Sequence, residues 1–374
     1  DSLCRRGTLL CAPHAGALKQ ISIAVDKTAV SIERGWASGG HVELPCWPLR
    51  TCPFSLVDES ARAGKPKFRL TTDLSWPHPG TMVVGGVEID AVNSSMDRSG
   101  WPRNRMLRVR ELCEAAAVLR GPRRAPRRVR LWSLDCEAFY RAVGRQRAEL
   151  WRNGVCLPDG VQLDERCCFG DASAAAKCAR ISNFIVFQMR RALEAFDEAH
   201  PTRDPEWSAW LDERRRFAEA RGADVGAYAR LHWAGIFVDD AGAASADDLL
   251  FDIDGLPVVG ADGEQRRRAG AHFEVARAVL EQLGWGSAAA KEVEPATWLV
   301  FLGVEIDLDG DRVRLSADKR TRYSAQAEQA AGRSACELAE YTQLLGRLQF
   351  AAQCYPLGRQ MLHAAARVAR AGFR

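Results

Sequence analysis

The chain has 374 residues, of which 47% are hydrophobic and 27% charged, with a formal net charge of +4. This length supports two or three subdomains with at least one sizeable core. The absence of any apolar run of roughly eighteen residues excludes a transmembrane helix, and beyond local alanine enrichment there is no low-complexity tract.

The opening stretch, DSLCRRGTLLCAPH, has no initiator Met and only a short apolar patch, so it reads as an internal fragment boundary rather than a signal peptide. The first hundred residues are broken by Pro, Gly and Trp. They contain β-like runs at QISIAV (20–25), KFRLTTDL (67–74) and TMVVGGVEI (81–89). A helix is expected over 107–119, stopped by Gly121-Pro122. VRLWSLDCEAFYRAV then reads as an apolar strand that runs into Asp135 and on into a helix-like segment. Asp171 is placed to N-cap a long helix whose apolar stripe includes Ile181, Ile185, Met189 and Phe196.

Residues 197–228 are charged and read as a surface excursion. LHWAGIFVDD is strand-like, GADGEQRRRAGAHF is a loop, and a helix follows at about 271–284. TWLVFLGVEIDLDGDRVRLS reads as a buried strand and a hairpin turning at Asp309-Gly310. DLDGD (307–311) is not a calcium loop, because Gly stands fourth rather than sixth. Leu338, Tyr341, Leu344, Leu345 and Leu348 share one face of a further helix. No repeat, G-x-G-x-x-G or Walker loop is found.

The charge is unevenly distributed. Arg103, Arg105, Arg108, Arg110, Arg120, Arg123, Arg124, Arg127, Arg128 and Arg130 face only Glu111 and Glu114 in the same segment. Such a strip either neutralises phosphates or forms a solvated basic face. The twelve cysteines include no C-x-x-C pair, and the seven histidines never fall at ligand spacing to one another or to Cys. Free thiols acting as small hydrophobes in a reducing interior, cytoplasm or nucleus, fit this pattern.

Two carboxylate positions share a context: Asp135 and Asp239 each end a hydrophobic strand, and Asp240 follows directly. If the strands are neighbours, the three acids form a hard-oxygen site suited to Mg²⁺. Two such ions, about 3.5–4 Å apart, clamp the attacking and leaving oxygens of a phosphoryl transfer.

In order along the chain, six segments resemble the polymerase domain of a retroelement reverse transcriptase. KPKFRLTTDLSWP resembles its fingers motif and WSLDCEAFYRAV its first catalytic palm motif. CCFGDASAAAKCARISNF resembles the following Phe-Gly helix, and IFVDD the Tyr-x-Asp-Asp hairpin. LGWGSAAAKEVEPATWLVFLGVEID resembles the segment with a Lys and the Phe-Leu-Gly primer grip, and YTQLLGRLQFAAQCYPLGRQML the start of the thumb. Each motif is weak alone; six in order are strong. DLSWP with VNSSMD and the tail give a DIRS-like, tyrosine-recombinase retrotransposon flavour.

The resemblance implies a right-hand α/β (α+β) polymerase with fingers, an antiparallel-sheet palm and a partial helical thumb. The expected division is an N-terminal region and fingers over 1–128, a palm over 129–315 and the thumb or connection start over 316–374. The palm would include a finger-like segment at about 145–170 and a surface insertion at about 197–228. By position, Asp135, Asp239 and Asp240 would hold two Mg²⁺ ions, with Mn²⁺ as an alternative. Lys291 would donate a proton to the leaving pyrophosphate. Arg69, Lys67 and Lys65 would contact the triphosphate, Tyr140 would be the sugar gate, and Phe169 and Gly170 would line the nucleotide pocket. Phe301, Leu302 and Gly303 would support the primer end. The implied partners are dNTPs and an RNA or DNA template-primer duplex, with no membrane.

This sequence departs from the pattern in three places. Phe237 stands where Tyr is usual, Ala175 replaces a Pro, and Phe139 takes the place of a small residue. Singly, the residues have plainer readings: Asp135 as a helix N-cap, Asp239-Asp240 as a polar turn, Tyr140 and Phe169 as core aromatics. Three readings follow for the whole set: an RNA-directed DNA polymerase, a degenerate or domesticated relative that binds nucleic acid without polymerising, or a related palm polymerase of the maturase or non-LTR type. No RNase H, protease or integrase module is readable.

Overall fold

A computed structural model of the chain describes residues 8–60, 64, 66–78, 81–84, 87–94, 96–97, 99, 107–333, 335–355 and 357–371. Lys65, Arg103 and Arg105 lie outside the described residues. The fold is mixed α/β with antiparallel sheets. Its contacts divide the chain into two units, Asp1–Arg105 with Glu137–Asn183, and Met106–Cys136 with Phe184–Arg374.

The strands, in chain order, are β1 (Ala37–His41), β2 (Phe54–Asp58), β3 (Phe68–Thr72), β4 (Thr81–Val84), β5 (Val87–Asp90), β6 (Val129–Asp135) and β7 (Gly154–Leu157). They continue with β8 (Gly160–Asp164), β9 (His232–Phe237), β10 (Asp240–Ala246), β11 (Val293–Ala296), β12 (Trp298–Phe301), β13 (Val304–Asp307) and β14 (Arg312–Leu315).

In the first unit, β1, β8 and β7 form one sheet, while β2–β3 and β4–β5 are separate hairpins. The run QISIAV, expected as a strand, instead opens the helix Ile21–Glu33. Its alternating apolar pattern fits a strand locally. As a helix, however, it places Ala24 and Thr28 one turn apart on a buried face. There Ala24 joins Phe54, Val155 and Leu157 in the core, and Thr28 Oγ1 donates to Ala24 O at 2.7 Å. Tertiary packing decides between the two readings.

The second unit is organised around the antiparallel sheet β11-β6-β10-β9. Strand β10 is almost all small residues, and Ala241, Ala243, Ala244 and Ala246 are buried. Small side chains let helices approach both faces of the sheet. Leu131, Ala244 and Ala246 face a core with Leu112 and Ala116 of the helix Val109–Arg120. On the alternate face, Trp132 packs edge-on against Phe273 of the helix Arg268–Gln282, ring centroids 6.0 Å apart. Full burial of such side chains contributes about 1.5–3 kcal/mol each. A second antiparallel sheet, β12-β13-β14, follows.

Residues 197–228 are not simply a surface excursion. Asp204 caps the helix Pro205–Glu219, its carboxylate accepting from the Glu206 and Trp207 backbone N–H groups. Trp207, Trp210 and Leu211 are buried in the main core. The charged positions cover the opposite face, which is what the sequence registers.

The arginine strip is likewise split. Arg127 lies over the Trp207 and Trp210 rings, 5.3 Å from each centroid, and donates to Leu119 O, closing the helix end. Arg130 pairs with Asp247 at 3.0 Å, Arg120 and Arg123 with Asp311, and Arg110 with Glu114. Much of this charge is neutralised within the chain.

Candidate active site

Register brings the acids together. Strands β9 and β10 are joined by the two-residue turn Val238-Asp239, with Phe237 opposite Asp240. Strand β10 then pairs with β6 so that Asp240 lies opposite Asp135. Directly opposed residues of an antiparallel pair point to the same face, so these two carboxyls share one end of the sheet. Asp239 is tied to the same place, because its carbonyl accepts from Cys136 N at 2.9 Å. Val238 adopts φ +58° and is buried. This left-handed conformation is rare for a β-branched residue and costs about 1–3 kcal/mol. Such strain tends to accumulate at functional turns.

The electrostatics report the crowding. Burial, reinforced by the charges of Asp239 and Asp135, pushes the Asp240 carboxyl up to about 7. Burial and the same three acids push the Cys136 thiol up to about 12. Among the described residues, Lys291 sets a cation against the cluster: its Nζ donates to both oxygens of Asp135 at 2.8 Å. The loop carrying Lys291 is held by the Asp135 carbonyl, which accepts from Ala288 N at 2.9 Å. Carboxyl groups crowded in this way present hard oxygen donors, with the Asp240 proton held more tightly than usual. Hard oxygens are the donor type that Mg²⁺ prefers; among the described residues, the group whose ligand atoms all lie within 4.8 Å of one another is a different one, Asp197, His232 and His272.

The first unit holds a second group. Tyr140, on the short helix Phe139–Ala142, packs against Phe169 with ring centroids 5.2 Å apart. The Arg69 guanidinium lies over the other partner of that pair, 5.2 Å from the Phe169 centroid. Glu59 holds both neighbouring cations, at 2.9 Å from Arg69 Nε and 3.3 Å from Lys67 Nζ. The sequence offered no sign of Glu59, because its role follows from the β2–β3 register. Gly170 has φ +106°, and a Cβ there would stand 1.9 Å from Thr72 O, so no other residue fits. Phe139, one of the departures from the family pattern, is buried at 2% exposure and belongs to the core.

Behind the Phe-Gly segment, Arg145 and Asp171 form a fully buried ion pair at 2.9 Å. Asp171 also accepts from Ser173 N at 2.7 Å, at the start of the helix Ala172–Ala199. Phe301, expected at the primer end, is 3% exposed and its ring covers Gly242. Leu302 and Gly303 form the β12–β13 turn with positive φ, and Lys319 Nζ donates to Leu302 O at 2.8 Å.

A cluster the sequence did not reveal joins Asp197, His232 and His272. One ligand atom from each lies within 4.8 Å of the others, the spacing a metal site needs. The same carboxylate is already satisfied. It accepts from His232 Nδ1 and His272 Nε2 at 3.0 Å each, and from Arg268 Nη1 at 2.6 Å. Arg268 is fully buried and also donates twice to Asp248. Positions 197, 232 and 272 lie far apart in the chain, and no local spacing pattern could have linked them.

No protein-family profile matches the chain, and no curated protein matches it. Solved structures show likeness of fold. The foamy viral protease-reverse transcriptase dRH in complex with double-stranded DNA aligns at TM-score 0.53 and 12% identity, over 96% of this chain and 45% of that one. The foamy viral protease-reverse transcriptase with an RNA/DNA hybrid aligns at 0.50 and 12% identity, over 98% and 35%. Its complex with double-stranded DNA aligns at 0.50 and 12% identity, over 96% and 53%. The fold is therefore reverse-transcriptase-like, and the chain spans between 35% and 53% of the length of these structures.

Proposed function

We propose that this chain is the polymerase portion of a retrotransposon reverse transcriptase, extending a primer 3′-hydroxyl with dNTPs on an RNA template. The observation that carries this reading is the convergence of Asp135, Asp239 and Asp240 at one end of the central sheet, with Lys291 on Asp135. A template-primer duplex as partner is in keeping with the duplex-bound structures that share the fold.

Asp135, Asp239 and Asp240 would hold two Mg²⁺ ions. Bound there, the ions would supply charge stabilisation for nucleotidyl transfer, a reaction that needs little acid–base chemistry beyond positioning. Lys291 is within reach of the carboxylates and carries a proton it could deliver to the leaving pyrophosphate. Arg69 and Lys67 offer a fork and a point charge for phosphate oxygens. The Tyr140 ring, braced by Phe169, would meet a ribose 2′-hydroxyl and favour deoxynucleotides. The turn Leu302-Gly303, rather than the buried Phe301 ring, would face the primer end.

The test is extension of a primer on an RNA template by the purified protein with dNTPs and Mg²⁺. Extension that Asp239→Ala abolishes supports the reading. Salt-sensitive template binding that persists without the three acids, and without incorporation, would instead identify a nucleic-acid-binding relative that does not polymerise.

A further inference from the structure

Asp135 is used twice by one loop. Its carbonyl accepts from Ala288 N at 2.9 Å and from Ser287 Oγ at 3.4 Å, and Cys136 forms a β-bridge with Ser287. Three residues later the same loop turns Lys291 back, so that its ammonium bonds both carboxylate oxygens of Asp135 at 2.8 Å. The carboxylate is 10% exposed, whereas the Lys291 side chain is 61% exposed. A bidentate ammonium covers the edge of a carboxylate that a divalent cation would use. The carboxylate is fixed by its strand, whereas the lysine rests on a short 3₁₀ turn, Ala289–Lys291, with solvent beside it. Of the two, the lysine is the partner able to leave.

We propose that Lys291 is an internal counter-ion for Asp135 in the metal-free chain, and that a divalent cation displaces it. The inference rests on the reading above that the three carboxylates bind divalent metal. It adds an order of events: the ammonium becomes free to meet a leaving group only once the cation has taken its place on Asp135. Lys291 thereby couples metal occupancy to its own release from Asp135. The coupling has opposite signs in its two consequences. Loss of the ammonium should tighten metal binding while slowing turnover, whereas a lysine that merely props the loop would weaken both.

Two measurements independent of turnover test this. Mn²⁺ binding to the full chain is read by electron paramagnetic resonance for the native sequence and for Lys291→Met, each checked for native circular dichroism. Lys291→Met should bind Mn²⁺ about tenfold tighter, the scale of one charge-assisted ion pair. Separately, acetylation of Lys291 in the unsubstituted chain by an N-hydroxysuccinimide ester is followed by mass spectrometry. Mg²⁺ or Ca²⁺ should speed labelling at Lys291 and leave the other lysines unchanged. Equal or weaker Mn²⁺ affinity in Lys291→Met, or labelling insensitive to the cation, overturns the proposal while leaving the metal site intact. If neither folded protein binds Mn²⁺, the metal reading of the carboxylates fails and the proposal falls with it. Should Lys291→Met not fold, the labelling result on the unsubstituted chain decides.

Discussion

Replacing Arg268 by Met removes a charge that the second unit has enclosed completely. The guanidinium is 0% exposed and makes three donor contacts: two to Asp248, at 2.7 and 3.1 Å, and one to Asp197 at 2.6 Å. Met fills similar space but donates nothing, so the buried Asp248 and the partly buried Asp197 lose their shared cation. Asp197 keeps His232 and His272 as donors, and Asp248 keeps Thr202 Oγ1 at 2.7 Å. Breaking a buried ion pair from one side costs about 3–5 kcal/mol, most of it the desolvation of the charge left behind. The expected loss for Arg268→Met is therefore about 3–5 kcal/mol. In the double variant Arg268→Met/Asp248→Leu one stranded charge is gone, and about half of that loss should return. Urea denaturation followed by tryptophan fluorescence at pH 7.5 measures both, since Trp132, Trp207 and Trp210 lie in the same unit. A loss below about 1 kcal/mol for the single variant, or a double variant less stable than the single, would refute the account.

Two further outcomes follow from the same contacts. Glu59→Gln releases Arg69 and Lys67 from the carboxylate that pairs with both, and on the proposed function leaves them free for phosphate oxygens. Because both cations are partly exposed, the gain should be about 1 kcal/mol, or roughly fivefold tighter dNTP binding, with fold stability nearly unchanged. Isothermal titration with a non-hydrolysable dNTP reads it, and unchanged or weaker binding counts against the assignment. The pH dependence of stability has a definite sign. Burial holds the His272 imidazole below its usual value, so the unfolded chain takes up a proton below about 6.5 that the folded chain refuses. Burial opposes the Asp197 charge, but His272 and His232 facing it hold its carboxyl well below the usual range. That contribution is present above about 3.8 and is lost as pH falls toward the folded value. Both groups therefore lower stability on acidification, first below about pH 6.5 and again below about pH 4. The denaturation midpoint at pH 7 and pH 5.5 should differ, and His272→Gln should flatten that difference. An unchanged slope in the variant would show that another group carries it.

Much of the candidate site was legible because its signals are local. A strand that ends in Asp135, a hairpin that turns at Asp239 and a helix that starts after Asp171 each depend on residues within a few positions. The failures were of two physical kinds. QISIAV alternates like a strand but folds as a helix, since a short apolar run takes its conformation from what covers it. Residues 205–219 look like solvent-facing charge, and a few large side chains, Trp207 and Trp210 above all, carry the buried face. The Phe301 case is related: a motif position marks where a residue stands, whereas the neighbouring Gly242 decides that its ring is covered.

The sequence by itself determined the strand that ends at Asp135, the strand that runs into Asp239-Asp240, the three acids and the lysine. Hydrophobic period, turn residues and carboxylate chemistry are written at short range. Only the tertiary structure decided that Asp240 faces Asp135, that Lys291 returns to the carboxylate it follows by 156 residues, and that Glu59 gathers Arg69 and Lys67. The network of Asp197, His232, Arg268 and His272 also exists only in three dimensions. Strand register and loop anchoring bring such groups together from distant positions, and charges placed that close then set one another's ionisation through burial and Coulomb interaction.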